Sequence, residues 1–209
     1  MYREGKLESY VEDAASNKPA PGGGSVSGLV GALAAAMSEM SANFTVGKKK
    51  FAAVQDAVRQ MLQELAACRD ALLALMDRDV EAYGAVNQAY SMPKDTGPQK
   101  AARKGAMDSA LRGAMEAPLQ VMRQCAGVSA IADRLVDIGN PNLITDVGVS
   151  AILAEAACAS ARLNVEINLK FLRAPELTEK TTAEMNGLSQ QVQECRIRVA
   201  EKVGAYLKS

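Results

Sequence analysis

In residues 54–89, VQDAVRQMLQELAACRDALLALMDRDVEAYGAVNQA, apolar side chains recur at alternating steps of four and three: Val54, Val58, Met61, Leu65, Cys68, Leu72, Leu75, then Ala82, Val86 and Ala89. That spacing is the seam of a bundle helix. It predicts one long helix over 51–90, or two with a small break. Between Leu75 and Ala82 the register position is Asp79, a carboxylate where an apolar residue belongs. Either Asp79 faces the interior, or a break near Asp77 turns it outward.

The flanking segments read in the same way. Residues 2–16 predict a short amphipathic helix with Tyr2, Leu7, Tyr10, Val11 and Ala14 on its apolar side. Two prolines and three glycines in Pro19–Gly24 interrupt it. Ser25 stands where an N-cap belongs, opening a helix to about Phe44. One face of that helix carries Val26, Leu29, Val30, Leu33, Met37 and Met40; another carries Gly28, Gly31, Ala34 and Ala35, small enough for close helix approach. Thr45–Lys50 reads as a turn and Ser91–Pro98 as a loop. A helix over 99–138 contains Pro118, which predicts a kink or division near Met115. Gly139–Asn142 stops it, a helix from about Leu143 to Leu172 follows, Arg173–Glu176 turns the chain, and 177–207 is a last amphipathic helix. The seam of the 143–172 helix is Ile144, Val147, Ala151, Ala154, Cys158, Ala161 and Val165, continued by Asn168, and beside it runs a stripe that includes Asp146, Ser150, Ser160 and Asn164. The expected architecture is a single-domain, all-α bundle of about six helices, several of them long.

Composition narrows the function. Of 209 residues, none is His or Trp and only 3 are Phe, so imidazole chemistry and nearly all zinc sites are excluded. Any catalysis falls to carboxylates, Lys, Tyr, amides, hydroxyls and backbone groups. The 24 cationic and 24 anionic side chains balance, unlike the basic excess of a nucleic-acid binder. Cys68, Cys125, Cys158 and Cys195 are far apart within helical patterns, which predicts reduced, buried thiols and a cytoplasmic setting. No leader pattern is visible. No apolar run reaches the roughly 18–20 residues of a membrane span; Val26–Met40 comes nearest but carries Glu39.

Several motifs carry chemistry. The turn Gly22-Gly23-Gly24-Ser25 can present backbone N–H groups to an anion or polar ring at a helix N-terminus, or can simply let helices pack. It is not a phosphate-binding P-loop, since no Lys-Ser or Lys-Thr pair follows the last glycine. Lys48, Lys49 and Lys50 form either a solvated face or a site for a polyanionic tail. Asp79 in its seam and Asp146 near a helix start are the sharpest carboxylates: burial raises such a group's pKa or demands a cation, although Asp146 also suits the helix dipole. Asn43, Asn140 and Asn142 can bind a heterocycle or cap helix ends.

Taken in order, Pro19–Val26 (PAPGGGSV), Met40–Phe51 (MSANFTVGKKKF), Asp77–Tyr83 (DRDVEAY), Met92–Thr96 (MPKDT), Lys100–Arg103 (KAAR), Glu116–Leu119 (EAPL), Gly139–Val149 (GNPNLITDVGV) and Leu163–Leu169 (LNVEINL) resemble the cyclodeaminase/cyclohydrolase family. This family comprises the C-terminal domain of formiminotransferase-cyclodeaminase and stand-alone methenyltetrahydrofolate cyclohydrolases. The resemblance spans about residues 5–175, with Thr145 in place of an expected Ser and with Phe44 and Phe51 as mild departures.

The resemblance implies an all-helical homodimer, not associated with membranes, that acts on a tetrahydrofolate derivative without metal or redox cofactor. Two reactions follow from it: hydrolysis of 5,10-methenyltetrahydrofolate to 10-formyltetrahydrofolate, and cyclodeamination of 5-formiminotetrahydrofolate. Because 209 residues hold only this one domain, with no transferase half, hydrolysis is the first expectation. A non-catalytic folate-binding dimer is the alternative of another class. The expected carboxylate is Asp146 or Asp79, with Lys48 or Lys94 as polar or cationic partner and Asn43 and Ser25 orienting substrate. The Gly22–Gly24 turn, the lysines 48–50 and the Asn140/Asn142 turn are expected to line one cleft, glycine backbone toward the pterin and lysines toward the glutamate tail.

Overall fold

Small residues set the packing of the central helix. The structure is a computed structural model describing residues 1–209. Its α-helices are α1 (Leu7–Ala15), α2 (Gly23–Asn43), α3 (Gln55–Tyr90), α4 (Gly97–Ile138), α5 (Ile144–Leu172) and α6 (Pro175–Tyr206), with short 3₁₀ helices at Tyr2–Glu4, Lys49–Val54 and Pro141–Leu143. No strand is present, and the six-helix all-α bundle matches the sequence reading. Helix α2 packs against α3, α4 and α5, while α6 covers α4 and α5. Gly28 is the closest approach: a Cβ there would lie 3.0 Å from the Leu72 carbonyl oxygen and 3.1 Å from the Met76 nitrogen, both backbone atoms of α3.

The buried side of α2 is therefore its small one, with Gly24, Gly28, Gly31, Ala34 and Ala35 inside. Its large residues face outward, where Val26, Leu33 and Met40 are exposed. The α5 side chains Val149, Ile152, Leu163, Ile167 and Phe171 are exposed too, so these neighbouring helices offer extensive apolar surface to solvent. The charged side chains Glu155 and Arg162 of α5 turn instead toward α6, Glu155 pairing with Arg196 and Arg162 reaching Asn186 and Ser189. By length and composition Pro141–Leu172 is apolar enough to cross a membrane, an 18-residue window within it having a mean hydropathy of 1.5. This corrects the sequence expectation: Ala-, Ile- and Cys-rich turns between widely spaced charges carry the average, not Val26–Met40.

Two boundaries differ from the sequence reading, each for a local reason, and between them α3 takes the first of its two expected forms. The N-cap of α2 is Gly22, not Ser25; Gly23 and Gly24 are already helical, and the Ser25 N–H is engaged by a side chain of α3. Residues 55–90 form one helix with no break at Asp77. Helix α4 begins with a capping box between Thr96 and Gln99 and runs undivided through Pro118. A proline leaves the carbonyl four residues earlier without its helical donor. Here that carbonyl belongs to Ala114, and the Asn168 side-chain amide of α5 donates to it at 3.2 Å. A tertiary contact thus replaces the missing bond and the helix need not break.

The four cysteines are free; three are buried, and Cys68, expected to be buried, is half-buried and packs against the core. Burial pushes the Cys158 thiol up to about 11.

Candidate active site

A cleft of about 360 Å³ opens where the start of α2 meets the second half of α3, the middle of α4 and the end of α5. Each helix contributes for a reason legible in its sequence. The Pro/Gly-rich segment before α2 keeps bulk away, so Gly22, Gly23 and Gly24 form one wall. Helix α3 brings Asp79, Tyr83 and Val86 on one face at helical spacing. Helix α5 brings Asn164, Ile167, Asn168 and Phe171 in the same way.

Asp79 is held to the glycine turn. The Ser25 backbone N–H donates to its Oδ2 at 2.9 Å. A Cβ on Gly24 would sit 2.1 Å from its Oδ1, so only glycine leaves room for the carboxyl group. Burial raises the Asp79 pKa above the usual carboxylate range, opposed in part by the Ser25 N–H bond. The result is a carboxyl group that keeps its proton to higher pH than an exposed one, at the wall of an open cleft.

Behind this wall lies a buried polar chain. The Tyr10 hydroxyl and Ser25 Oγ are 3.0 Å apart, and Tyr10 packs edge-on against Tyr2 with ring centroids 5.2 Å apart. Tyr2 is anchored in turn, its N–H donating to Asp77 Oδ1 and its hydroxyl to Asp13 Oδ2, each at 2.8 Å. The N-terminal segment thus braces the turn that holds Asp79 without lining the cleft itself. On the opposite wall the Asn168 amide bonds the Ala114 and Asn164 carbonyls, and the Asn164 amide bonds the Ser160 carbonyl. Donor bonds on one side fix both amides and leave their oxygens available to a ligand.

The other sequence candidates lie elsewhere in the chain. Asn43, Lys48, Lys49, Lys50, Asn140, Asn142 and Asp146 gather at the far end of α2, about 30 Å along its axis from Gly23. Asn140 joins that end to α2, its N–H bonding Thr45 Oγ1 at 2.8 Å and its side chain the Phe44 carbonyl. The expectation of one cleft shared by the glycine turn, the lysines and the Asn-Pro-Asn turn is therefore corrected for a single chain. Helices α2 and α5 run antiparallel over their whole length, which puts the residues after α2 beside the start of α5 and the glycine turn beside its end. Asp146 sits in the first turn of α5, where a carboxylate complements the helix dipole. Lys94 lies at neither place; it lines a second cleft with Lys100, Arg103 and Lys104.

The resemblance seen in the motifs has a full-length counterpart. The family model described as formiminotransferase-cyclodeaminase matches residues 6–187. The chain belongs to the formiminotransferase-cyclodeaminase family. It is 36% identical over 197 residues to a methenyltetrahydrofolate cyclohydrolase of Methylorubrum extorquens, covering 94% of this chain and 95% of that one. It is 30% identical over 188 residues to the formimidoyltransferase-cyclodeaminase of Rattus norvegicus, covering 90% of this chain but 35% of that protein. A solved structure, the formiminotetrahydrofolate cyclodeaminase of Thermotoga maritima, superposes with a TM-score of 0.90 at 29% identity over 99% of this chain and all of that one. Family membership carries enzymatic folate cyclisation chemistry, a part of one-carbon metabolism, at the level common to these proteins.

Proposed function

We propose that this chain is a formiminotetrahydrofolate cyclodeaminase, with Asp79 as the proton donor to the departing nitrogen. One observation carries the reading: partial burial raises the proton affinity of the carboxyl group at the cleft wall, and the Ser25 N–H fixes where it points. Departure of ammonia requires an acid, whereas attack of water on an already cationic methenyl carbon requires a base. The family description and the Thermotoga structure support the same direction.

In this reaction N10 attacks the formimino carbon carried on N5, forming the second C–N bond of the five-membered ring. The former imine nitrogen receives one proton from Asp79 and, in the course of the step, the proton that N10 gives up. Its bond to carbon then breaks, ammonia leaves, and the remaining carbon is the methenyl bridge of the 5,10-cation. The carboxylate left on Asp79 faces that cation and is reprotonated from solvent at the open side of the cleft. Phe171 and Ile167 supply an apolar wall for a flat ring; Asn164, Asn168 and the glycine turn supply polar edges. A positioned acid contributes on the order of 10²- to 10⁴-fold. No step calls for a metal or redox cofactor.

A second reading, hydrolysis of 5,10-methenyltetrahydrofolate, is favoured by the full-length match to the Methylorubrum cyclohydrolase. It uses the same carboxyl group in its ionised form as base. Near-ultraviolet absorbance separates the readings. Appearance of the methenyl chromophore from 5-formiminotetrahydrofolate, with stoichiometric ammonia, supports deamination; accelerated loss of that chromophore without ammonia supports hydrolysis. Saturable thermal stabilisation by reduced folate with neither turnover would leave the non-catalytic binding dimer.

The homodimer belongs to the same proposal. The exposed apolar surface of α2 and α5, with Leu163 66% and Ile152 56% exposed, is the surface a second copy would cover. An antiparallel two-fold pairing over that surface would bring the partner's Asp146 and Asn140 end alongside the cleft, uniting the two clusters that one chain keeps apart.

A further inference from the structure

Helix α1 grips the bundle through a single buried side chain. Tyr10 is its one buried residue, while Leu7 and Val11, expected beside it on the same apolar face, are 66% and 57% exposed. What that anchor holds is the residue that aims Asp79. The Tyr10 hydroxyl lies 3.0 Å from Ser25 Oγ, and the Ser25 backbone N–H donates to Asp79 Oδ2 at 2.9 Å. Tyr10 and Ser25 are both buried, Ser25 completely.

The Ser25 hydroxyl is an exception among the helical hydroxyls of this chain. Ser27, Ser160 and Thr178 each donate to the backbone carbonyl four residues earlier, the usual local bond of such side chains. Ser25 instead bonds a side chain of a different helix, 15 residues away in the chain. A local bond would satisfy the hydroxyl and leave α1 free; the long-range bond ties α1 to the first turn of α2. Burial raises the pKa of the Tyr10 hydroxyl, the bond to Ser25 opposes that rise, and the charges of Asp79 and Asp77 reinforce it. The phenol therefore stays protonated and lies close enough to Asp79 to feel its charge. The titratable groups near Asp79 are Tyr83 in the cleft and Tyr10 and Asp77 behind it; α2, α4 and α5 meet it with glycines, Leu111, Ala114 and two asparagine amides.

We infer that Tyr10 is a positioning residue for Asp79: its hydroxyl, bonded to Ser25, fixes the N–H that points the carboxyl group into the cleft. The inference rests on the reading of Asp79 as the acid of the reaction. Tyr10 does not line the cleft, so it acts on Asp79 and not on the substrate. Without the hydroxyl, Ser25 falls back on the carbonyl four residues earlier, as Ser27 does, and its N–H loses alignment. That N–H favours the ionised carboxyl group, so a looser bond raises the pH at which Asp79 ionises. A less well aimed acid slows departure of ammonia and leaves ring binding as it was.

NMR titration of the Asp79 carboxyl carbon in the full chain, assigned by its loss in Asp79→Asn, tests the link directly. Release of ammonia from 5-formiminotetrahydrofolate over the same pH range gives kcat and KM beside it. The native chain is compared with Tyr10→Phe, which keeps the ring, with Ser25→Ala, which keeps the N–H, with the double variant, and with Val11→Ala, an exposed control on α1. Tyr10→Phe and Ser25→Ala should each move the Asp79 titration about half a pH unit higher and lower kcat about three- to tenfold, the effect of one hydrogen bond, with KM unchanged. The double variant should do no more than either single one, since both remove the same bond. Val11→Ala should leave both readouts native. A residue that merely held α1 in place would lower Tm and leave the titration where it was. An unmoved Asp79 titration in Tyr10→Phe, or effects that add in the double variant, overturns the inference. Failure of the reaction reading looks different: a titration that moves as expected, in a chain that turns over neither formimino- nor methenyltetrahydrofolate, leaves the positioning role standing and removes Asp79 as the acid.

Discussion

Replacing Gly24 with alanine tests whether the glycine turn exists for the carboxyl group beside it. In an unconstrained helix the change is favourable by about 0.5–1 kcal/mol. Here the new methyl group would lie 2.1 Å from Asp79 Oδ1, 2.5 Å from Cγ and 2.8 Å from Oδ2, so the carboxyl group must leave its place. Its 2.9 Å bond from the Ser25 N–H goes with it. Leaving the buried Ser25 N–H without its partner costs about 1–3 kcal/mol, which outweighs the propensity gain and leaves a net loss of roughly 1–2 kcal/mol. For a chain of this size that is a fall in Tm of about 2–8 °C. Turnover should fall much further, on the order of 10²-fold or more, since the displaced acid no longer faces the reacting nitrogen. Thermal melts and single-turnover methenyl absorbance would measure both quantities. Gly113→Ala is the control, since nothing lies within 4 Å of its added Cβ and it is outside the cleft; it should raise Tm slightly. If Gly24→Ala behaves like Gly113→Ala, with raised Tm and native turnover, the placement of Asp79 against the turn is wrong.

Other consequences follow from the same geometry. Asp79→Asn should reduce kcat on the order of 10²- to 10⁴-fold. Its stability should also vary with pH in a defined direction. Because the folded pKa of Asp79 is raised, the native state holds the proton more tightly than the unfolded chain, so that contribution is full below the unfolded value of about 4 and is lost as pH rises through the folded pKa. The Tm of Asp79→Asn relative to the native chain should therefore rise from pH 4 to pH 8, and a flat difference would contradict the burial. Asn168→Ala should lower stability by about 1–3 kcal/mol in urea melts, because the Ala114 carbonyl loses its substitute donor. Pro118→Ala in that background should recover part of the loss by restoring a helical N–H, and an additive double-mutant cycle would disprove the link. Leu33→Glu with Ile152→Glu should convert a dimer to monomers in sedimentation velocity, with helix content retained.

The helices were legible because their seams are long and regular. In α3 all of Val58, Met61, Leu65, Leu72 and Leu75 are buried as the spacing predicts. Asp79 stood out for the same reason, as a carboxylate in an apolar register. What spacing could not supply was which face of α2 turns inward. Its large residues look like the core side, yet close helix approach at Gly28 and Gly31 buries the small side instead. Nor could it place the two motif clusters at opposite ends of one helix pair, since that depends on α2 and α5 running antiparallel. The cleft residues Tyr83, Phe171 and Asn168 carried weaker signals. Asn164 and Asn168 broke the apolar pattern late in α5, but only the carbonyl freed by Pro118, in another helix, explains what the second amide is for.

The close approach of α2 to α3 at Gly28 has a chemical meaning beyond packing. Gly28 lies one turn from Gly24 on α2, and its neighbour Met76 lies about one turn from Asp79 on α3. The separation of the two helices thus sets how deeply the carboxyl group is sunk, and depth sets its proton affinity. A methyl group added at 28 would part the backbones and admit water to Asp79, lowering its proton affinity. The proton affinity of this carboxyl group is in this sense a mechanical quantity, adjustable by a residue that does not line the cleft.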